Sequence, residues 1–278
     1  MGNESTSRCC CSLLVAHYPN CGEVNMSDKQ AILKQLIAMS RNLGQPEKDY
    51  VILSEGNTSA RIDEESFWVK ASGVEMRDIG QDGFVRVRFA PVLAMLEGSD
   101  LSDAEIKCRL TEAKVDPNAP AHPSVETVFH ALALTMGGAN YVGHTHPTAV
   151  NAVLCSQHVE AAIAGRLFPD EIVVCGPALA YVPYTDPGLP LARRIRNVLR
   201  EYLEAYGEPP KAILMQNHGL IALGRTAQEV ENITAMCVKT ARVLIASYAL
   251  GGPHFMSLQA VERIHTRSDE AYRRQKLD

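Results

Sequence analysis

The chain has 278 residues, of which 46% are hydrophobic and 21% charged, with a net charge of −5 and a pI near 6.0. This composition is typical of a globular protein that buries a substantial core in one or two domains. The negative net charge does not indicate the basic surface that nucleic-acid binding requires. No run of about 18 apolar residues is present to span a membrane. We therefore expect a soluble, cytoplasmic protein that has neither nucleic acid nor a membrane as its partner.

The first segment, residues 1–25, is expected to be a disordered extension, with a native start at Met26 and one domain over 26–278. Half of the eight cysteines crowd into it: Cys9, Cys10, Cys11 and Cys21. Because its first six residues fit the minimal myristoylation pattern, lipidation is the alternative. The remaining cysteines are scattered, which is typical of reduced thiols in a cytosolic protein, and no CxxC pair predicts a structural zinc site.

The first half of the domain alternates between helical and strand patterns. The spacing of apolar residues predicts a helix over Ser27–Leu43, which Gly44-Gln45-Pro46 ends. Strict alternation predicts a half-buried strand over Phe84–Phe89. A second helix is predicted over Pro123–Met136, with proline in its first turn.

The second half continues the alternation. Short apolar runs predict buried strands at Ile172–Cys175, Ala212–Met215 and Leu220–Leu223. An apolar stripe predicts a helix over Leu191–Tyr206. A further helix is predicted from Thr226, which forms a capping box with Glu229, to Gly251. The sum is one α/β domain with a central mixed or antiparallel sheet flanked by helices.

The segment from Tyr141 to Pro147 carries two histidines, His144 and His146, at alternate positions. Residues two apart in a strand point to the same face, so both imidazoles would face one side, as a zinc or iron site requires. His218 follows in a tight turn between two apolar runs. Taken alone, the pair is equally compatible with ordinary polar histidines at a strand end, and His218 with a packed turn residue.

Glu126 is the candidate carboxylate of the chain. In the first turn of the predicted helix it would face the positive end of the helix dipole, which stabilises its charged form. That dipole role alone would explain the residue. His130 lies one turn later, but no HExxH pattern is present, and we expect His130 to be structural.

Two small polar turns, at Ser54–Ser59 and Lys70–Gly73, adjoin strand-like segments. Turns of this kind expose backbone N–H groups and hydroxyls that can hold phosphate. Neither matches the Walker A or GxGxxG pattern, so no nucleotide site is expected. Each is also compatible with an ordinary turn.

Five segments, in this order, resemble the class II aldolase/adducin family, and most of all its L-rhamnulose- and L-fuculose-1-phosphate aldolases. The segments are Gly56-Asn57-Thr58-Ser59, Ser72-Gly73, Pro123-Ser124-Val125-Glu126, His144-Thr145-His146-Pro147 and Asn217-His218-Gly219-Leu220. The similarity covers about Asp28 to Gly251, and the ordered set is far more specific than any one segment. It implies a single-domain class II aldolase-like fold.

The resemblance also implies roles for particular residues. His144, His146 and His218 match the family's metal ligands, which implies Zn²⁺ or another divalent cation, and Glu126 matches its acid/base. The matches to its phosphate-binding positions are Asn57, Ser72, Gly73 and Ser124. Fuculose-type aldolases carry a second serine where this chain has Val125, and we hypothesise that Lys70 supplies a compensating charge.

The activity implied is cleavage of a ketose 1-phosphate, such as L-rhamnulose or L-fuculose 1-phosphate, to dihydroxyacetone phosphate and an aldehyde. The family also implies a homotetramer, in which a further acid, often a tyrosine, acts across a subunit interface. Tyr181, Tyr184 and Tyr272 are the candidates. With no dinucleotide fingerprint present, we expect a stand-alone lyase.

Several alternatives stay open at this point. A sugar-phosphate 4-epimerase would share the fold, the metal and the bond-breaking step, although epimerases are expected to carry an aspartate where this chain has Glu126. A decarboxylase of phosphorylated sugar acids is also compatible. A non-catalytic, adducin-like module would share only the fold. A non-haem iron enzyme would use two histidines and a carboxylate.

Overall fold

The computed structural model describes residues 26–270 and 272, so the predicted extension and its alternative lipidation lie outside the described residues. At its centre is a seven-stranded sheet in the order β3-β2-β1-β4-β7-β6-β5. All neighbours pair antiparallel except β5 and β6, which are parallel. The strands are β1 (Asn57–Arg61), β2 (Ser66–Lys70), β3 (Phe84–Arg88), β4 (Tyr141–Thr145), β5 (Ala180–Val182), β6 (Ala212–Met215) and β7 (Gly219–Gly224).

Helices flank this sheet, and two short 3₁₀ turns lie at Pro46–Lys48 and Gln81–Gly83. The α-helices are α1 (Met26–Leu43), α2 (Phe89–Ala94), α3 (Asp103–Glu112), α4 (Thr127–Thr135), α5 (Thr148–Leu154), α6 (Val159–Ala162), α7 (Pro169–Cys175), α8 (Leu189–Tyr206), α9 (Ala227–Tyr248) and α10 (Leu258–Thr266). This architecture confirms the predicted α/β fold with a mixed sheet.

The strands alternate between two cores, one on each face of the sheet. In β6, Ile213 and Met215 pack with α2, α3, α4 and α8, whereas Ala212 and Leu214 pack with α1, α5 and α9 on the other face. This division follows from the two-residue period of a strand. Burial on both faces explains why the run reads as continuously apolar.

The strand register brings the candidate residues to one end of the sheet. Asn57, at the start of β1, lies opposite His144 near the end of β4. On the other side of β4, Thr145 pairs with Leu220 at the start of β7. The turn that joins β6 to β7, with His218, and the end of β2 lie at this same end.

Two predicted elements differ from the structure. Helix α4 begins at Thr127 rather than Pro123, because Pro123 forms an isolated bridge with Ala71. Glu126 is consequently the residue that precedes α4. The segment Ile172–Cys175 belongs to helix α7, not to a strand.

The predicted strand at Ile172–Cys175 is wrong because the residues on either side of this run favour a helix. Pro169 occupies the first turn, acidic residues follow it, and Gly176 ends the helix with a φ of +80°. These are helix signals that a four-residue apolar run does not contain.

At α9, Thr226 accepts from the Glu229 N–H as predicted, but the Glu229 carboxylate binds Arg225 N–H and Lys211 instead of closing the capping box.

None of the helices among the described residues is both long enough and apolar enough to cross a membrane.

Candidate metal and acid/base centre

Three histidines from β4 and the β6–β7 turn meet at this end of the sheet. His144 lies in β4, His146 follows it, and His218 lies in the turn. One ring nitrogen from each lies within 4.8 Å of the other two. Their ring centroids are 4.6 to 5.2 Å apart. The structure thus brings together the three residues that the sequence predicts as metal ligands.

Two glycines allow the backbone to approach these rings. A Cβ on Gly219 would lie 2.6 Å from the Thr145 carbonyl oxygen and 2.7 Å from a ring carbon of His146. A Cβ on Gly56 would lie 2.5 Å from the His144 carbonyl oxygen, and Gly56 has a φ of +63°. Any side chain at either position would push the cluster apart, so glycine is required at both.

The Nδ1 atoms of the two neighbouring histidines have partners outside the cluster. His144 Nδ1 lies 3.0 Å from the Leu220 carbonyl oxygen, which can only accept, so this nitrogen carries the proton. His146 Nδ1 faces the Glu55 carboxylate at 3.8 Å, longer than a hydrogen bond but favourable for a proton on Nδ1. Histidines that bind metals are commonly oriented by such outer partners.

These partners make the cluster a fit for a metal ion. A proton on His146 Nδ1, next to Glu55, would leave the Nε2 lone pairs of His144 and His146 facing each other across 2.9 Å. A cation held by those lone pairs removes the repulsion. Imidazole donors suit zinc, iron, copper and nickel, and three protein ligands leave a position open for substrate, as in catalytic sites.

Glu126 reaches into the same cluster. Although it immediately precedes α4, its side chain does not cap the helix. Its Oε1 lies 3.2 Å from His218 Nε2 and 3.7 Å from His144 Nε2, and its Oε2 accepts a 2.5 Å hydrogen bond from Asn57 Nδ2. A carboxylate thus lies within contact distance of two predicted metal ligands.

The protonation states suit proton transfer at neutral pH. Burial alone would raise the pKa of Glu126, but attraction to His144 and the hydrogen bonds of His218 and Asn57 outweigh it and lower the pKa. Burial lowers the pKa of His144 to about 3, so this ring is neutral at pH 7. The hydrogen bonds, rather than an ion pair with His144, therefore support the ionised Glu126 at that pH.

The turn with Ser72 and Gly73 and the segment with Ser124, which all match phosphate-binding positions, lie side by side. The bridge between Ala71 and Pro123 joins them, and the Ser72 N–H donates to the carbonyl before Pro123. Ser72 and Gly73 are exposed. Gly73 has a φ of +77°, and nothing lies within 4 Å of a Cβ built on it. This turn therefore faces open space.

Ser124 connects the open turn to the carboxylate. It is half-buried, and its Oγ lies 3.3 Å from the Glu126 N–H, from which it accepts. Val125, between them, is 38% exposed. An anion held at Ser72 and Ser124 would therefore lie beside the acid/base candidate.

Lys70 is buried beneath these segments rather than directed towards solvent. Its Nζ donates to the carbonyl oxygens of Ser54, Ala71 and Val74 at 3.4, 3.4 and 2.5 Å. Burial lowers the pKa of Lys70 to about 8, against the opposing attraction of Glu126. Within the described part of the chain, no carboxylate lies within 4.0 Å of Nζ. Any effect on phosphate would pass through its charge, not through contact.

Two residues of this centre are not predicted from the sequence as part of it. Glu55 stands directly before Gly56. His130 is expected to be structural, and its ring binds Asn57, which binds Glu126. The usable signal was its position four residues after Glu126, because residues at that spacing share a helix face.

The three tyrosines named as candidates for a further acid have different settings. The Tyr184 hydroxyl donates to Asp186 at 3.0 Å. Tyr181 is half-buried in β5, and Tyr272 is exposed. That one of these tyrosines acts as the further acid stays a prediction.

The chain is similar in sequence to a family model and to curated proteins. A family model described as "Class II Aldolase and Adducin N-terminal domain" matches residues 34–245. An "uncharacterized oxidoreductase" of Bacillus subtilis is 26% identical over 200 residues, which are 68% of this chain but 26% of that protein. The 3-oxo-tetronate 4-phosphate decarboxylase of Escherichia coli is 30% identical over 147 residues, 52% of this chain and 65% of that protein. The chain thus matches less than two thirds of the length of either relative.

Two solved structures share the fold. The N-terminal class II aldolase domain of a conserved protein from Thermoplasma acidophilum has a TM-score of 0.60 at 22% identity, and the match covers 84% of this chain and 100% of that one. The L-fuculose-1-phosphate aldolase of Thermus thermophilus has a TM-score of 0.57 at 17% identity, with 81% and 100% covered.

Proposed function

The chain belongs to the class II aldolase and adducin family, and we propose that it is a divalent-metal lyase acting on a phosphorylated ketose. The reaction is retro-aldol cleavage of a ketose 1-phosphate, such as L-rhamnulose or L-fuculose 1-phosphate, to dihydroxyacetone phosphate and an aldehyde. The observation that carries this proposal is the position of Glu126 Oε1, 3.2 Å from His218 and 3.7 Å from His144.

His144, His146 and His218 would hold the cation, Zn²⁺ by preference. When bound, a divalent cation supplies Lewis-acid stabilisation of the negative charge that develops on a carbonyl oxygen during cleavage. Burial lowers the pKa of His144 to about 3, which leaves its ring neutral and able to act as a ligand at pH 7. The Leu220 carbonyl oxygen orients His144, and the Glu55 carboxylate faces His146.

Glu126 acts on the substrate carbon. Ionised at neutral pH, it is able to take a proton from the carbon next to the carbonyl in the condensation direction. In the cleavage direction it takes up the proton that the substrate hydroxyl at the breaking bond releases, and delivers that proton to the same carbon. Its hydrogen bond from Asn57 fixes one oxygen and leaves Oε1 on the side of the histidines. A single carboxylate thus serves both directions of the reaction.

Ser72, Gly73 and Ser124 form the phosphate subsite of the proposal. The open space above Gly73 and the hydroxyl groups on both sides of the Ala71–Pro123 bridge support it. Asn57, the fourth residue predicted for this subsite, instead has its amide on Glu126 and His130.

The assembly and location of the enzyme are part of the same proposal. We expect the homotetramer that the family resemblance implies, measurable as the mass in solution. The described cysteines, Cys108, Cys155, Cys175 and Cys237, are free thiols, which supports a cytoplasmic location.

A decarboxylase of phosphorylated sugar acids is the second candidate, favoured by the 30% identity to the Escherichia coli decarboxylase. Such a reaction also leaves a carbanion next to a carbonyl, which Glu126 would protonate. Methylthioribulose-1-phosphate dehydratase of Geobacillus kaustophilus is 26% identical over 189 residues, and its name implies loss of water from a phosphorylated ketose.

Product analysis tests the proposal. The purified protein is incubated with L-rhamnulose, L-fuculose and ribulose phosphates and with phosphorylated 3-oxo acids. Release of dihydroxyacetone phosphate and an aldehyde supports the aldolase. Release of carbon dioxide, an epimer or water in place of an aldehyde would assign one of the other activities, and no turnover together with no bound metal would support an adducin-like module.

A further inference from the structure

Four polar side chains form one buried chain of hydrogen bonds that ends on Glu126. Ser59 Oγ lies 2.6 Å from His130 Nδ1, and His130 Nε2 is hydrogen-bonded to Asn57 Oδ1. Asn57 Nδ2 donates to Glu126 Oε2 at 2.5 Å. Ser59 and His130 are fully buried, and Asn57 is 5% exposed.

The direction of every bond in this chain is fixed by its last member. An ionised carboxylate only accepts, so Asn57 must turn its NH₂ group to Glu126 and its oxygen to His130. His130 Nε2 must then carry the proton, which leaves Nδ1 to accept from the Ser59 hydroxyl. Burial lowers the pKa of His130 to about 3, in agreement with a neutral ring.

The fold produces this chain from two regular spacings. Asn57 and Ser59 are two residues apart in β1 and therefore share a face of the sheet. Glu126 and His130 are four residues apart, at the start of α4 and within it, and share a helix face. Packing of α4 on β1 brings the two pairs into contact.

We propose that Asn57 and His130 are positioning residues that hold the Glu126 carboxylate in its working orientation, and that the Asn57 amide does not bind the substrate phosphate. This inference rests on the proposed role of Glu126. Both polar ends of the amide are already occupied inside the protein. Turning the amide towards a phosphate would leave a carboxylate oxygen of the half-buried Glu126 and the buried His130 N–H without partners, which is costly.

The test compares Asn57→Leu, His130→Phe and His130→Gln in the zinc-loaded full chain. Loss of the chain in the first two variants is expected to lower kcat by about 10- to 100-fold, the usual effect of removing an outer partner of a metal centre. Metal content and the Kd of inorganic phosphate should stay at the wild-type values. Glutamine at position 130 offers a donor and an acceptor and should recover part of the lost kcat.

A weaker Kd for inorganic phosphate in Asn57→Leu, with kcat unchanged, would overturn the proposal and make Asn57 a phosphate ligand. Full activity in His130→Phe would equally overturn it. If His130→Phe does not fold, Ser59→Ala removes only the hydroxyl at the far end of the chain. We expect a smaller loss of kcat in Ser59→Ala, and unchanged kcat would contradict the account.

NMR of the ¹⁵N-labelled histidines separates this proposal from the proposed function. In the wild-type protein, the ring resonances that His130→Gln removes should report a proton on Nε2 and none on Nδ1. A proton on Nδ1 would contradict the hydrogen-bond chain whatever the enzyme catalyses. The Nε2–H form, unchanged phosphate affinity in Asn57→Leu and no turnover of any ketose phosphate would retain the placement of Asn57 and reject the lyase.

Discussion

His144 is buried and Glu126 is half-buried, and both are hydrogen-bonded within the protein, whereas Ser72 and Gly73, at the same end of the sheet, are exposed and face open space. The histidine cluster therefore has its geometry set before any ligand arrives. The open turn leaves its polar groups to be satisfied by a ligand or by water. Changes in the cluster should therefore alter the chemical step or metal binding, whereas changes around the turn should alter phosphate affinity.

The largest effect is expected from Glu126→Gln. Because the amide cannot take up a proton, kcat should fall by about 10²- to 10⁴-fold, the usual contribution of a general acid/base. Metal content should stay at one cation per chain, since three histidines remain. A Glu126→Gln protein that keeps its metal and full activity would contradict the assigned role.

A smaller effect is expected from Glu55→Gln, which replaces the carboxylate next to His146 Nδ1 by a neutral group. Outer partners of metal ligands are typically worth 10- to 100-fold in metal affinity. With 3.8 Å between the two groups, we expect the lower end, about tenfold, in a competition titration with a chelator. Glu65→Gln, an exposed glutamate in the turn between β1 and β2, is the matched control and should bind metal as the wild type does.

Lys70→Met tests the other side of the contrast. Loss of the buried charge beneath the open turn should weaken binding of inorganic phosphate by about tenfold, on the order of the 1.4 kcal/mol that one partly screened charge contributes. Metal affinity should not change. Lys34→Met, on the exposed face of α1, changes the net charge equally and should have no effect. Equal phosphate affinity in Lys70→Met and the wild type would eliminate the electrostatic role of Lys70.

The smallest effect is a pH dependence of stability. The pKa of Lys70 is lowered to about 8 in the folded protein, from 10.5 for an ordinary lysine. Between these values the unfolded chain binds more protons, so the free energy of unfolding should rise with pH across that window. Chemical denaturation at pH 8 and pH 10 measures the slope for this residue as the difference between the wild type and Lys70→Met. An equal slope in both proteins would show that Lys70 is not desolvated.

The sequence predicts the regular elements of this fold and the residues that form the site. It predicts the role of each site residue less well. Helix α1, strands β6 and β7 and helix α8 follow from apolar spacing alone, because each buries one face or both. Helix α7 does not, because its four apolar residues fit a strand as well as a helix. Its proline and glycine decide between them.

The roles of single site residues depend on contacts that spacing cannot supply. The alternation of His144 and His146 places both rings on one face, but it does not reveal that Glu55 lies beside the second ring. Asn57 stands in a turn typical of phosphate binding, yet the packing of α4 places its amide on Glu126. Lys70 was expected to face an anion, and the fold turns it to three carbonyl oxygens instead.

The most direct test of the central claim measures metal content and retro-aldol activity on the same samples of the wild type and His218→Ala. We predict one divalent cation per chain in the wild type, loss of activity on chelation and its return when Zn²⁺ is added back. His218→Ala should lose both metal and activity while remaining folded. A wild-type protein that cleaves a ketose phosphate at full rate after complete removal of metal would contradict the account.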